Sequence, residues 1–228
     1  MLRADLHVHT KHSFDCSTSF EEIIERCGLR GITCVAIADH ATAEGALKLR
    51  EIAPFRVIVA EEVLTPWGEV MGMFLKESIP SPLSVQETLA RIRDQEGLVC
   101  IPHPFDTLRG TSAFRDDRLE EVLPLVNVIE VFNSRSLMPG ANARARRLAR
   151  EHGIAGSAGS DAHTPAEIGN SYVEISDFDG PQQFLKALAA GKIVGRRSNP
   201  AVHFSSTWSK ITKRSGKEPG PTEHRQEG

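Results

Sequence analysis

Short apolar runs alternate along the chain with longer stretches in which apolar residues recur every three or four positions. The short runs predict strands at Leu2–Val8, Thr33–Ile37, Arg56–Val59, Val70–Leu75, Leu98–Ile101, Val126–Val131, Ile154–Ser157, Ser171–Ile175 and Ile193–Gly195. The longer ones predict helices at Ser19–Cys27, Ala43–Glu51, Ser84–Glu96, Asp117–Leu123, Ala141–His152 and Gly180–Ala190. Ser19 before Phe20-Glu21-Glu22, and Ser84 with Glu87 three positions on, offer acceptors for the free N–H groups that open a helix. Gly28, Gly31, Gly97, Gly153 and Gly191 stand near helix ends, where a left-handed residue is often needed. Strand–helix alternation of this kind predicts a parallel sheet with helices outside it.

Two segments break the pattern. Residues 61–75 read as a hairpin turning at Pro66-Trp67-Gly68, and Pro102–Arg118 as a polar loop over the strand ends. From about Ser205 the apolar periodicity stops and Ser, Lys, Gly, Pro and Glu dominate. Residues 1–204 are therefore expected to form one domain and 205–228 a disordered tail. A length of 228 residues suits a single barrel-sized core. The net charge of −3 argues against a broad basic nucleic-acid surface. No apolar run reaches the roughly 18 residues that span a bilayer, and the first residues lack a signal-peptide pattern. A cytoplasmic protein without membrane contact is expected, and nothing calls for an obligate protein partner. Cys16, Cys27, Cys34 and Cys100 form no CxxC pair, which predicts reduced thiols.

The polar residues at the ends of the predicted strands change the picture. Asp5-Leu6-His7-Val8-His9 closes the first strand, and residues two apart on a strand share a face, so Asp5, His7 and His9 are expected to project together. Asp39-His40 ends the second strand and Glu61-Glu62 follows the third. His103 follows the fifth between two prolines, Glu130 and Asn133 lie on the sixth, and Asp161 and His163 follow the seventh. Each alone has an ordinary explanation, such as a histidine at a loop edge or a carboxylate capping a helix. Together, five of the nine histidines fall just after predicted strands, which in a parallel barrel is one rim. Imidazoles and carboxylates converging there predict a divalent metal site. His152, His203 and His224 read as surface residues, while His12 lies close enough to the site to approach a substrate.

These residues carry a family likeness. Asp5-Leu6-His7-Val8-His9-Thr10, Asp15, Asp39-His40, Glu62, His103-Pro104 and Ser160-Asp161-Ala162-His163, in this order, resemble the PHP (polymerase and histidinol phosphatase) domain over about residues 2–200. The resemblance implies an α/β fold, a distorted (β/α)7-type TIM-like barrel with the metal site at the C-terminal strand ends. It implies two or three divalent ions, for which a His/Asp/Glu donor set suits Mn, Zn or Fe. His7, His9, Glu62 and Asp161 would surround the first, with Glu62 bridging to a second that His103 also holds. Asp15, His40 and His163 would take a third. Some relatives add a histidine near residue 130, where this chain offers Glu130 as the substitute ligand. Glu61 is the competing bridge, but it faces away if Glu62 faces inward.

The implied activity is hydrolysis of a phosphate ester by hydroxide formed near neutral pH, with Glu62, Asp161 and His163 in the catalytic set and His163 a candidate proton donor to the leaving group. Arg135 and Arg109 are the expected phosphate contacts, with Arg196-Arg197 a weaker pair. The phosphate-ester substrate expected is a nucleotide or a 5′-phosphorylated oligonucleotide end. A small-metabolite phosphatase of the histidinol-phosphate type and a non-catalytic metal-stabilised module are the alternatives.

Overall fold

A computed structural model describes residues 1–198; the tail expected at 205–228, with His203 and His224, lies outside them. The chain runs β1 (Leu2–Val8), α1 (Phe20–Arg30), β2 (Cys34–His40), α2 (Glu44–Ile52), β3 (Arg56–Thr65), β4 (Gly68–Met73), α3 (Val85–Asp94), β5 (Leu98–Ile101), α4 (Asp116–Val122), β6 (Val128–Asn133), α5 (Ala141–Glu151), β7 (Ala155–Gly159), β8 (Ser171–Ile175), α6 (Gly180–Ala189) and β9 (Lys192–Gly195). Both expected helix starts are reciprocal capping boxes, Ser19 with Glu22 and Ser84 with Glu87. At the far end of α1 it is Gly31 (φ 65°) that takes the left-handed position, whereas Gly28 lies inside the helix. No described helix is long and apolar enough to cross a membrane.

All nine strands join one sheet in the order β7-β6-β5-β4-β3-β2-β1-β8-β9. β1, β2, β3, β5, β6 and β7 point one way, while β4 returns antiparallel between β3 and β5 as the expected hairpin. The sheet curls until its β7 end meets β1. There Val8 bridges to Ala162, the His9 N–H donates to the Ala162 carbonyl at 3.0 Å, and the Asp161 N–H donates to the His7 carbonyl at 2.7 Å. The result is a nearly closed barrel of the expected type. A literal count of seven β/α repeats does not follow, because β4 enters without a helix and β8–β9 form an added antiparallel pair.

Side-chain parity sorts the strands into two apolar layers. Val35 and Ile37 of β2, Val57 and Val59 of β3 and Val99 and Ile101 of β5 pack with Ile23, Leu49 and Ile92 of the outer helices. Ala4, Leu6, Cys34, Ala36, Ala38, Ile58, Ala60, Met71 and Cys100 fill the inside. Small residues dominate that inner set because the curled wall leaves little room. Phe184 and Leu188 of α6 join it, and Phe74, Phe178 and Phe184 meet edge-on with centroids 5.1–6.1 Å apart near the strand starts. The opposite end, at the C-terminal strand tips, is left to polar residues.

One expectation about β1 fails. The pairing with β2 shifts by one residue between Asp5 and Val8, so the strand carries a bulge. Asp5 pairs with outward-facing Val35, while His7 and His9 turn inward beyond the bulge. Asp5 therefore does not project with the histidines; it accepts from the N–H groups of Ser160 (2.8 Å) and Gly169 (2.9 Å).

Closure leaves no space at Gly159, where an added Cβ would overlap the Cβ of His7. Gly159→Ala should lower unfolding free energy by about 1–3 kcal/mol, the usual cost of overpacking. An unchanged urea midpoint would mean that β7 does not press on β1.

Candidate metal centre

The rim gathers five imidazoles and four carboxylates from seven segments. β1 presents His7 and His9, the following loop Asp15, β2 His40, β3 Glu62, β4 Glu69, the turn after β5 His103, and the segment after β7 Asp161 and His163. All are buried or nearly so, and His40 is the most open, with its side chain 14% exposed. The loop carrying Asp15 is fixed from both sides. Asp39 accepts from the Thr10 N–H (2.6 Å) and hydroxyl (2.7 Å), and the Ser13 hydroxyl donates to Asp15 Oδ1 (2.9 Å). His103 (φ 29°) and Asp161 (φ 54°) sit in the left-handed region, a strain on the order of 1–3 kcal/mol each. Glu130 Oε2 holds the His103 N–H at 2.9 Å, and the His7 carbonyl holds that of Asp161.

The donor atoms form overlapping groups. His7 Nε2 and His9 Nε2 lie 3.1 Å apart, with Asp161 Oδ1 at 3.7 and 3.3 Å from them. Glu62 Oε1 is 3.2 Å from both His7 Nε2 and His103 Nε2; its Oε2 is 3.5 Å from His9 Nε2 and 3.4 Å from His40 Nδ1. Asp15 Oδ2 is 3.1 Å from His163 Nε2 and 3.5 Å from His40 Nε2. Donors that share an ion at roughly 2.0–2.2 Å sit about 3–3.5 Å from one another, so these spacings suit a divalent cation. Asp161 Oδ1 is buried without a hydrogen bond while Oδ2 is occupied, so one lone-pair-bearing oxygen aims into the pocket. No thiolate competes: all four cysteines are buried free thiols, and burial pushes Cys16 up to about 11.

Tautomers follow from partners that only accept. His7 Nδ1–H donates to the Glu130 carboxylate (3.1 Å), and His163 Nδ1–H donates to the Asp161 carbonyl (2.9 Å). With Nδ1 so engaged, each ring turns its Nε2 to the pocket, the atom whose lone pair would hold a cation. Electrostatics are divided. Burial opposes charge on His7, but Glu62, Asp161 and Glu130 outweigh it and hold the ring well above its ordinary pKa. Burial is likewise outweighed at His40, by Asp15, Glu69 and Glu62, which raise it to about 10. His9 is pushed down to about 3 by burial, then by the charge of His163. Glu69 is raised by burial and by neighbouring Glu62. A bound cation would displace these protons and relieve the carboxylate repulsion.

Of the expected ligands, His7, His9, Asp15, His40, Glu62, His103, Asp161 and His163 all converge. Glu61 faces the outer layer and accepts from the Ile79 N–H at 2.9 Å, so Glu62 is the inward member of the pair. Glu130 does not join the donor groups. Oε1 is taken by His7, and Oε2 by the His103 N–H and Asn133 Nδ2 (2.9 Å), so it orients ligands rather than holding an ion. Its expected place beside His103 falls to Glu69, whose Oε2 is 3.6 Å from His103 Nε2 and whose Oε1 is 3.4 Å from His40 Nδ1. Starting the predicted strand at Val70 hid Glu69. The hairpin contains the signal, because Met71 opposes Glu62 and Glu69 shares its face by period two.

The two expected phosphate-binding arginines differ. Arg135 is buried, its guanidinium 3.4 Å from Glu167 and its Nη1 donating to the Asp161 carbonyl at 3.5 Å, so it braces the Asp161–His163 segment. Arg109 stands nearer the opening with its side chain 18% exposed; it donates to Asp161 Oδ2, Asp106 and Asn133. Asp106, missed from sequence, holds this loop by accepting from Arg109 and the Leu137 and Met138 N–H groups.

Elemental analysis separates these roles. Glu69→Ala should remove about one metal equivalent per chain, whereas Glu130→Gln should keep the full complement with affinity weakened about 10–100-fold. Equal stoichiometry in Glu69→Ala and the unaltered protein would remove Glu69 from the donor set.

Comparison with known proteins bears on the same segments. The PHP domain profile matches residues 5–58, and the PHP-associated profile matches residues 139–193. An uncharacterized protein of Methanocaldococcus jannaschii is 36% identical over 196 residues, covering 82% of this chain and 79% of its own length. A second from that organism is 34% identical over 146 residues, covering 58% and 82%. Among solved structures, a two-domain Bacteroides vulgatus protein described as containing a predicted PHP-like metal-dependent phosphoesterase aligns at TM-score 0.68 and 14% identity, over 91% of this chain and 69% of that one. An amidohydrolase from Chromobacterium violaceum with bound sulfate and no metal aligns at TM-score 0.60 and 17% identity, over 84% and 97%. At such identities the likeness is one of fold. The profile matches take in His7, His9, Asp15 and His40 on one side of the barrel and Asp161 and His163 on the other. With a 36%-identical relative aligned over most of both chains, these shared segments establish that the chain belongs to the PHP family.

Proposed function

We propose that the protein is a metal-dependent phosphoesterase acting on nucleotides or on 5′-phosphorylated oligonucleotide ends. The observation that carries the reading is the position of Glu62, whose two oxygens face His7 and His103 on one side and His9 and His40 on the other. That geometry suits a carboxylate shared between ions. Mn, Zn or Fe ions held there would supply Lewis-acid charge for the phosphate oxygens and lower the pKa of water.

The chain's own groups do the positioning. Arg109 and Asn133 hold Asp161 Oδ2, which leaves Oδ1 turned inward. A guanidinium with five donors keeps some for a phosphate entering beside Asp161. His163 sets Nδ1 against the Asp161 carbonyl at 2.9 Å and Nε2 against Asp15 at 3.1 Å, so both ring nitrogens are engaged and its part is that of a ligand rather than a donor to the leaving group. The open side lies at His40, and Phe14, 54% exposed, sets its ring 5.0 Å from the His40 ring. An exposed aromatic face beside the mouth favours a substrate with a planar base.

Glu62→Gln should bring hydrolysis of nucleoside monophosphates to background while the barrel stays folded by circular dichroism, because a neutral amide bridges ions poorly. Arg109→Ala should lower kcat/KM by about 10–100-fold. Robust turnover of histidinol phosphate, with none on nucleotides or oligonucleotides, would replace this reading with that of a small-metabolite phosphatase.

Phe14→Ala should raise KM for a nucleoside monophosphate at least about fivefold, at the low end of base stacking, and leave KM for ribose 5-phosphate unchanged. Equal effects on both esters would rule out stacking.

A further inference from the structure

Away from the metal pocket, three arginines converge where α1, the turn after His163 and the end of β9 meet. Arg26 and Arg30 lie one helical turn apart on α1, and Arg196 follows β9. Arg26 Nη2 donates to the Ala166 carbonyl at 3.4 Å, directly beyond the His163 segment. Arg30 Nη2 (3.4 Å) and Arg196 Nε (3.0 Å) both donate to Asn170 Oδ1. Asn170 is itself fixed, its N–H donating to the Glu167 carbonyl and its Nδ2 to Ser198 Oγ at 3.0 Å. Ser198 in turn donates its N–H to the Ser134 carbonyl beside Arg135, which ties the cluster to the flank of the metal rim.

What the cluster lacks is a counter-charge. Among the described residues none of the three arginines pairs with a carboxylate, in contrast to Arg3 on the neighbouring strand β1, which faces Glu174 at 3.6 Å. The Nε atoms of Arg26 and Arg30 are buried without any partner. Arg30 is lowered from its ordinary pKa first by burial, then by repulsion from Arg26 and Arg196. On a chain of net charge −3, two cations held by one neutral amide oxygen and a third by a main-chain carbonyl, with most of their donors unspent, are arranged for an anion.

We propose that Arg26, Arg30 and Arg196 form a phosphate-binding subsite on the flank of the metal rim. One planar guanidinium fork fits a carboxylate or a phosphate equally well, but three converging forks suit the larger number of oxygens and the higher charge of a phosphate. The phosphate has two sources: a further phosphate of an oligonucleotide whose 5′ end lies in the metal pocket, which rests on the function proposed above, or a separate small phosphate ion.

The test uses full-length, metal-loaded protein with a doubly substituted variant, Arg30→Gln/Arg196→Gln. Anisotropy is measured with labelled 5′-phosphorylated oligonucleotides of one to eight nucleotides, and calorimetry with inorganic phosphate. If the source is the substrate, affinity rises with length in the unaltered protein, the increment falls about tenfold or more in the variant, and mononucleotide turnover is unchanged. The slope of log affinity against log salt should also flatten by about 0.7 for each phosphate that the variant no longer neutralises. If the source is a small ion, length has no effect, and the variant loses one class of inorganic-phosphate binding. Lysine at both positions should restore much of the salt dependence but less of the affinity. Unchanged length dependence and unchanged phosphate binding in the variant would overturn the subsite. Loss of either in a protein that hydrolyses no phosphate ester would keep the subsite and overturn the proposed activity.

Discussion

The carboxylate of Glu62, buried at the meeting point of four histidines, is the constraint around which the rest of the molecule is arranged. Burying it beside Glu69, Asp161 and Asp15 is expensive unless positive charge is brought in, because each carboxylate has lost its water. Raised imidazoles at His7 and His40 can provide that charge. Divalent cations provide it more compactly, since one ion faces several donors at once. Overlapping donor groups that share Glu62 and His7 are the geometric expression of that economy.

Outside the donors stands a set of buried carboxylates whose task is to hold backbone. Asp39 fixes Thr10, Asp5 fixes Ser160 and Gly169, and Glu130 fixes His103. Glu167 fixes His163 and Thr164, and Asp106 fixes Leu137 and Met138. The segments that carry or flank the donors are thus tied down by charge-assisted bonds to main-chain N–H. Glu130 among them anchors the left-handed backbone at His103, a strain that persists only where the surroundings over-determine it. Arg135 works alongside them, bracing the Asp161–His163 segment from within.

The two ends of the barrel divide the labour. Apolar contacts among Phe74, Phe178, Phe184 and Leu188 close the end at the strand starts and supply stability with no chemistry. At the tips, a short loop packs against the donors, with the Ser112 hydroxyl donating to Glu69 at 3.0 Å. The rim is most exposed beside His40 and Phe14, with Arg109 standing at the Asp161 side.

Strand and helix positions, both capping boxes, the β3–β4 hairpin and eight of the converging donors were legible in the sequence, because they rest on local period and on residue chemistry at strand ends. Three matters were not. The bulge in β1, which sends Asp5 to the outer layer while His7 and His9 turn inward, is a register shift that only pairing with β2 creates. The exchange of roles between Glu130 and Glu69 depends on which carboxylate's oxygens are already taken by His7, His103 and Asn133, partners up to 123 positions away. Arg135 and Arg109 are chemically alike in sequence; burial against Glu167 separates one from the other. Local chemistry named the groups, and the tertiary fold, by closing the sheet and deciding which oxygens and nitrogens find partners, decided which of them face the pocket.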